Sequence, residues 1–191
     1  MNQFIFLLFS LVLSGAAHAQ QSMEKIEVSV NGKTMVKSNG IIANRLNPST
    51  LSTRRTETRS PAELLEIYDK MYLLNTDQEL KKALKKAFPV EILDKCGTER
   101  MLLHLDVSPN GYVYSVTFGV KTDSPLYDID MQIYSDLEDI IKSVFRFKIP
   151  ATSILSYSPT LPFSLSRLTD DVSLFPPAAY RERGAAYRAT N

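Results

Sequence analysis

The chain has 191 residues, and its 22 Lys and Arg against 21 Asp and Glu leave a formal net charge of +1. So even a balance excludes the global positive field by which proteins hold nucleic acid or an anionic membrane surface. A single cysteine, Cys96, excludes an internal disulfide, so stability has to come from ordinary burial.

The first segment speaks to compartment. Phe4-Ile5-Phe6-Leu7-Leu8-Phe9 and Leu11-Val12-Leu13 form a short apolar core, followed by Ala17-His18-Ala19, a small-x-small pattern that signal peptidase accepts. The run falls short of the roughly 20 apolar residues that span a bilayer. Residues 1–19 are therefore expected to be a signal peptide cleaved after Ala19, which makes the protein periplasmic or secreted. The n-region departs from the pattern, since Asn2 and Gln3 supply no Lys or Arg. No integral membrane segment is expected after cleavage. Roughly 170 residues remain, enough for one domain with tails.

Residues 20–59 divide into a small hairpin and a linker. Ile26-Glu27-Val28-Ser29-Val30 alternates apolar and polar, Asn31-Gly32 is a type I′ turn dipeptide, and Lys33-Thr34-Met35-Val36-Lys37 returns antiparallel. From Ser38 to Arg59 the chain is rich in Asn, Ser, Thr and Arg and reads as a long loop or partly disordered linker. Arg45, Arg54, Arg55 and Arg59 give it a basic cast, which is first of all a solvated loop.

Residues 60–168 carry the expected α+β domain. Ser60-Pro61-Ala62-Glu63 combines a cap, a Pro at the first helical position and a capping-box Glu. Leu64, Leu65, Tyr68, Met71 and Tyr72 follow at near-helical spacing. Thr76 and Glu79 repeat the capping pattern before Leu80, Ala83, Leu84, Ala87 and Phe88, and Pro89 ends the helix. This predicts a helical pair over 60–88, joined at Asn75-Thr76. Val90-Glu91-Ile92-Leu93 reads as a short strand or turn, and Cys96-Gly97 as a break. Arg100–Val107 predicts a strand, Ser108-Pro109-Asn110-Gly111 a turn, and Tyr112–Val120 a second strand. On that strand Tyr112, Tyr114, Val116, Phe118 and Val120 share the face expected to be covered. A helix is predicted from about Met131 to Phe147, with Ile133, Leu137, Ile140, Ile141, Val144 and Phe145 as its apolar stripe. Leu161–Leu168 offers a last strand. Residues 169–191 read as a C-terminal tail with little core of its own.

The hairpin, helix and strand of residues 100–168 form a ββαβ unit. It resembles the C-terminal domain of TonB-type energy-transducing proteins over roughly 70 residues. The points of contact are Leu103-His104-Leu105-Asp106-Val107 before Pro109-Asn110-Gly111, then Val113-Tyr114-Ser115-Val116, then Phe145-Arg146-Phe147-Lys148-Ile149-Pro150-Ala151. The resemblance implies a related sheet topology in an envelope-exposed protein. It does not carry over energy transduction, because those proteins keep an uncleaved membrane helix and a long Pro-rich linker. Val120-Lys121-Thr122-Asp123-Ser124 also replaces their small-residue run after the second strand.

The chemistry is pruned by histidine. His18 leaves with the signal, so His104 alone remains as a candidate base or ligand, which excludes a zinc site using two His from one chain. Lying between Leu103 and Leu105 in a strand, it reads first as a structural histidine. Cys96 has only Lys95 beside it to activate the thiol and reads as inert. Asp123, Asp128, Asp130, Asp136, Glu138 and Asp139 form an acidic stretch without EF-hand spacing, and Asp128 and Asp130 suit a helix start. Tyr112, Tyr114 and Phe118 are a stacking platform or, more simply, core. The chain has no Gly-x-Ser-x-Gly elbow, phosphate loop or dinucleotide fingerprint. The expectation is an exported, non-catalytic protein with no catalytic, cofactor-binding or metal residues and no cofactor. It would bind another envelope protein, itself by strand addition, or a surface polymer, and no nucleic acid. The competing expectation is a secreted hydrolase using Cys96 or the carboxylates.

Overall fold

A computed structural model describes residues 25–47, 70–150, 158–176 and 179. The expected signal peptide, residues 48–59 of the expected linker and residues 60–69 of the expected first helix lie outside the described residues, as does the chain from 180 onward.

β1 (Ile26–Val30) and β2 (Lys33–Ser38) form the expected hairpin. Asn31 and Gly32 both sit in the left-handed region, at φ 51° and 75°, as a type I′ turn requires. The same dipeptide recurs at Asn39-Gly40, with φ 48° and 78°, and returns the chain as β3 (Ile41–Asn44). Residues 41–44 are therefore not linker. The second Asn-Gly turn outweighs the polar composition around it, because the strand it feeds is paired on both sides.

Met71 and Tyr72 are not helical either. Tyr72 and Leu73 form β4, paired with β7 (Phe147–Lys148) in a separate two-stranded sheet. The join of a helical pair at Asn75-Thr76 is thus replaced by extended chain. α1 (Asp77–Leu84) starts where expected: the Glu79 amide donates to Thr76 Oγ1 at 3.3 Å, and the Thr76 amide to Glu79 Oε2 at 2.8 Å. It runs into a 3-10 turn at Lys85–Ala87. α2 (Val90–Cys96) occupies the stretch expected as a strand or turn. A short apolar run cannot be told from a half-buried helix by periodicity, and Pro89 here opens a helix rather than only ending one.

β5 (Arg100–Val107) and β6 (Val113–Val120) pair antiparallel across the Ser108–Gly111 turn. The register shifts at Asp106/Val107, where Val107 faces Val113 while Asp106 faces Ser115, leaving Tyr114 as the extra residue of a β-bulge. The bulge flips the alternation. Val116, Phe118 and Val120 point into the core as expected, but Tyr112 and Tyr114 are exposed and Val113 is buried. The reading of the two tyrosines as core is thereby corrected.

α3 (Met131–Val144) is capped by Asp130, whose Oδ1 accepts from the Gln132 amide at 2.9 Å. It ends three residues earlier than expected, since Phe147 is recruited to β7. β8 (Thr160–Ser164) pairs with the far side of β5, and Leu165–Leu168 turns off in a 3-10 helix instead of extending the strand. The sheet order is β1-β2-β3-β6-β5-β8, antiparallel throughout. The fold is α+β, as expected, with a six-stranded sheet and three α-helices among the described residues.

Met35, Ile42, Val116, Phe118, Leu103, Leu161 and Phe163 line the helix-covered face, where they meet Tyr134, Leu137 and Ile141 of α3. The segment expected as a tail contributes too. Leu174 and Phe175 are fully buried, and the Phe175 ring packs 5.9 Å from Phe145 and 6.4 Å from Phe163. The Leu174 amide donates to Asp77 Oδ1 at 2.7 Å, tying this segment to α1. Two aromatic anchors and a helix-end acceptor are enough to make core of a segment whose composition is that of a loop.

Candidate functional site

The residues singled out for chemistry lie in three separate places. Cys96 is fully buried on α2, and burial pushes its thiol up from the ordinary range, against a smaller opposing pull from Lys95. Tyr134 lies against the same part of the core. Its hydroxyl donates to the Leu126 carbonyl at 2.6 Å, and burial raises its pKa strongly. His104 is on the opposite face of the sheet, half-buried, with Nδ1 2.8 Å from Thr160 Oγ1 of β8. Burial lowers its pKa and favours the neutral ring. Two residues on, Asp106 is buried and accepts from Ser158 Oγ at 2.8 Å.

The acidic stretch clamps the N-terminal hairpin. Asp136 Oδ1 accepts from Asn31 at 3.1 Å, and Lys33 Nζ reaches Asp139 Oδ1 at 2.5 Å and the Ser135 carbonyl at 3.1 Å. Glu138 is fully buried. One of its oxygens is hydrogen-bonded to Lys142, while the other lies 3.5 Å from Lys33 Nζ with only that charge to balance it. Lys142 also meets Asn47 Oδ1 at 3.3 Å, and Asn47 in turn donates to the Val116 carbonyl at 2.9 Å. Lys37 Nζ donates to the Tyr127 carbonyl at 2.8 Å and stands 4.4 Å from that residue's ring centroid. Asp128 lies 4.0 Å from Lys37, and Asp130 is the α3 cap. Among the described residues, no group of three or more His, Cys, Asp or Glu converges on a metal position.

Lys33 and Lys37 were not legible as anchors. In Lys33-Thr34-Met35-Val36-Lys37-Ser38 polar and apolar residues do not alternate, and isolated lysines on a short strand predict charges facing solvent. In fact both lysines share a face with Met35 and extend over the rim of the core to α3 and the 3-10 turn at Pro125–Asp128. Such a side chain covers apolar surface with its stem while its head stays paired.

What the clamp holds in place is an edge. β1 is exposed along nearly its whole length, and among the described residues no strand lies beyond it. The opposite edge, β8, is closed to pairing. The Leu105 amide donates to the Pro159 carbonyl at 3.0 Å and the Leu165 amide to Glu99 at 3.4 Å, so the odd-numbered residues of β8 turn their backbone groups toward β5. Pro162 therefore lies on the outward side, where it lacks an N–H and its ring obstructs an incoming strand. Exposed Tyr112 is held differently again, 4.3 Å beneath the Arg146 guanidinium.

This arrangement defines a class by fold alone: a helix-backed antiparallel sheet with one edge blunted by Pro162 and, among the described residues, the other left unblunted. A crystal structure of a DUF5043 family protein from Bacteroides uniformis is similar to it. The TM-score is 0.54 at 18% identity, over 76% of this chain and 90% of that one. No protein-family profile matches the chain, and no curated protein matches it. Among the described residues, no helix is long and apolar enough to cross a membrane.

Proposed function

We propose that the protein is an exported, non-catalytic component of the cell envelope that binds another envelope protein or a second copy of itself by adding an extended strand to its sheet. The observation that carries this reading is β1, an edge strand without Pro, bulge or covering element among the described residues, in a hairpin that Asn31 of its turn and Lys33 of β2 tie to α3. A clamped edge offers main-chain donors and acceptors in fixed positions, so an incoming strand bears most of the ordering cost alone. Export rests on the Phe4–Leu13 apolar run and Ala17-His18-Ala19. Kinship of residues 100–168 with the TonB-type C-terminal domain belongs to the same proposal, supported by the order β5, β6, α3, β8.

The test pairs cell fractionation with capture from the envelope fraction, using the wild-type protein and a Ser29→Pro bait. The expected result is localisation to the envelope or medium and a captured protein that is lost with the variant. Retention in the cytosol, or capture unaffected by Ser29→Pro, would overturn the reading.

A further inference from the structure

Hydrogen-bond parity shows what β1 presents to a partner. Arg45 donates its amide to the Thr34 carbonyl at 2.8 Å. Thr34 and Val36 therefore turn their backbone groups toward β3, and the alternate residues Lys33, Met35 and Lys37 turn theirs toward β1. Their opposite numbers Val30, Val28 and Ile26 are thus committed within the hairpin. Glu27 and Ser29 face outward, each with an N–H and a carbonyl directed past the edge.

Resting on the strand-addition reading above, we propose that the occupant of this edge is β1 of a second copy. The two strands run antiparallel and centred on Val28, so that the two sheets continue as one. The pattern Ile-Glu-Val-Ser-Val is the same in polarity read in either direction, so it complements itself on both faces. Parity allows any of the five β1 residues as the centre, but centring on Ile26 or on Val30 runs half of each strand past the end of the other. Centring on Glu27 sets two carboxylates directly opposite each other, which is repulsive. Centring on Ser29 runs Glu27 against Asn31, in the turn, where the strand has ended. Centring on Val28 pairs Glu27 with Ser29 of the second copy twice over, in two hydrogen-bonded pairs, with Val28 against its own symmetry mate between them.

Burial favours the same register. Ile26, Val28 and Val30 lie on the helix-covered face, in line with buried Met35. α3 reaches the turn end of the hairpin through Asp136 and Asp139 but leaves Ile26 and Val28 38% and 36% exposed. Pairing about Val28 sets Ile26 against Val30 of the second copy and covers all three. Glu27 is held by Lys25 at 2.7 Å and Arg45 at 3.3 Å within its own chain, so its charge is answered before the copies meet. The symmetric contact is a closed two-fold pairing and stops at two copies.

A five-residue edge makes a small interface, so the dimer is expected to dissociate in the micromolar range. Sedimentation equilibrium of the purified, natively processed protein across that range tests it. Ser29→Pro removes an outward N–H while sparing the hairpin's own bonds, and should weaken self-association at least about tenfold with the unfolding midpoint unchanged. Val28→Cys gives a second reading, because a non-hydrogen-bonded pair sets the Cα atoms about 4.5 Å apart, within disulfide reach. It should cross-link under oxidation, whereas Val30→Cys should not, and buried Cys96 does not compete. A wild-type protein monomeric throughout would overturn the proposal, as would self-association untouched by Ser29→Pro or equal cross-linking by the two cysteine variants. A monomer that still captures an envelope protein through a Ser29→Pro-sensitive edge would overturn self-pairing and leave the strand-addition reading standing. A monomer that captures nothing would sink both.

Discussion

His104 shows how much one side chain's setting depends on its neighbours across the sheet. Between two leucines in a strand, it is required by alternation to face away from them, and it does. Its role is set by Thr160, a residue 56 positions away in β8. Burial lowers the folded-state pKa below the ordinary 6.5, so the unfolded chain binds more protons in the interval between the two values. The resulting stability is present in full above pH 6.5 and is lost as pH falls through the depressed folded value. Replacing His104 with Gln keeps a polar partner for Thr160 but removes the titration. The expected outcome is a shallower fall in thermal midpoint between pH 7 and pH 5 than in the wild type, read by circular dichroism. Glu138 carries a different lesson. A buried carboxylate in a sequence of acidic residues looks like a candidate for catalysis or metal binding, yet its oxygens are engaged by Lys142 and Lys33. Spacing along one helix does not disclose a lysine that arrives from a strand about a hundred residues earlier.

Turns dominate at the scale of elements. Asn31-Gly32 and Asn39-Gly40 are the same dipeptide in the same left-handed conformation, but their surroundings differ. A Cβ on Gly32 would meet nothing within 4 Å, whereas a Cβ on Gly40 would stand 2.5 Å from the Val120 carbonyl oxygen. Gly40 also accepts from the Val120 amide at 2.7 Å, so this turn is welded to the end of β6. Gly32→Ala is expected to cost about 1–2 kcal/mol, the strain of placing a side chain at positive φ. Gly40→Ala should cost clearly more, because the backbone of β6 has to move as well. Urea unfolding of the two variants side by side checks the ordering. The helical elements follow similar local rules. Thr76 and Glu79 mark the start of α1 in the sequence and form its capping box in the structure. α2 has no comparable mark, and Val90–Leu93 was ambiguous for that reason. The bulge at Tyr114 left no local sign either. Its tyrosines, β-formers by propensity, fit the strand on whichever face the register gives them.

The scale of the whole molecule is where the final described segment belongs. Leu174 and Phe175 follow β8 and the 3-10 turn at Leu165–Leu168, in a stretch of loop-like composition, yet both are fully buried. Phe175 bridges Phe145 at the end of α3 and Phe163 in β8, joining the helical layer to the sheet. Truncating such a ring removes its transfer free energy and leaves a cavity, so Phe175→Ala is expected to cost about 3–5 kcal/mol. That is a large share of the total stability of a domain this size. Denaturant unfolding would show it as a lower midpoint, and a loss below about 1 kcal/mol would mean that the segment only rests on the core. The N-terminal hairpin is integrated in the same way, through β3 on β6 and the lysines on α3, so the sheet is one unit from β1 to β8.

By itself the sequence determined the local choices: the Asn31-Gly32 hairpin, the Thr76 cap, the limits of β5, the Gly111 turn and the core-facing side of α3. Each depends on the conformational preferences of a few adjacent residues, or on a periodicity confined to one element. Only the tertiary structure decided which face Tyr112 and Tyr114 show, what Lys33 and Glu138 are for, that residues 41–44 are strand, and that Leu174 and Phe175 are core. It also decided which edge is open, since Pro162 blunts β8 only because of the side on which β5 pairs with it. Those outcomes depend on register and on partners distant along the chain, and a local pattern carries no information about where the chain returns.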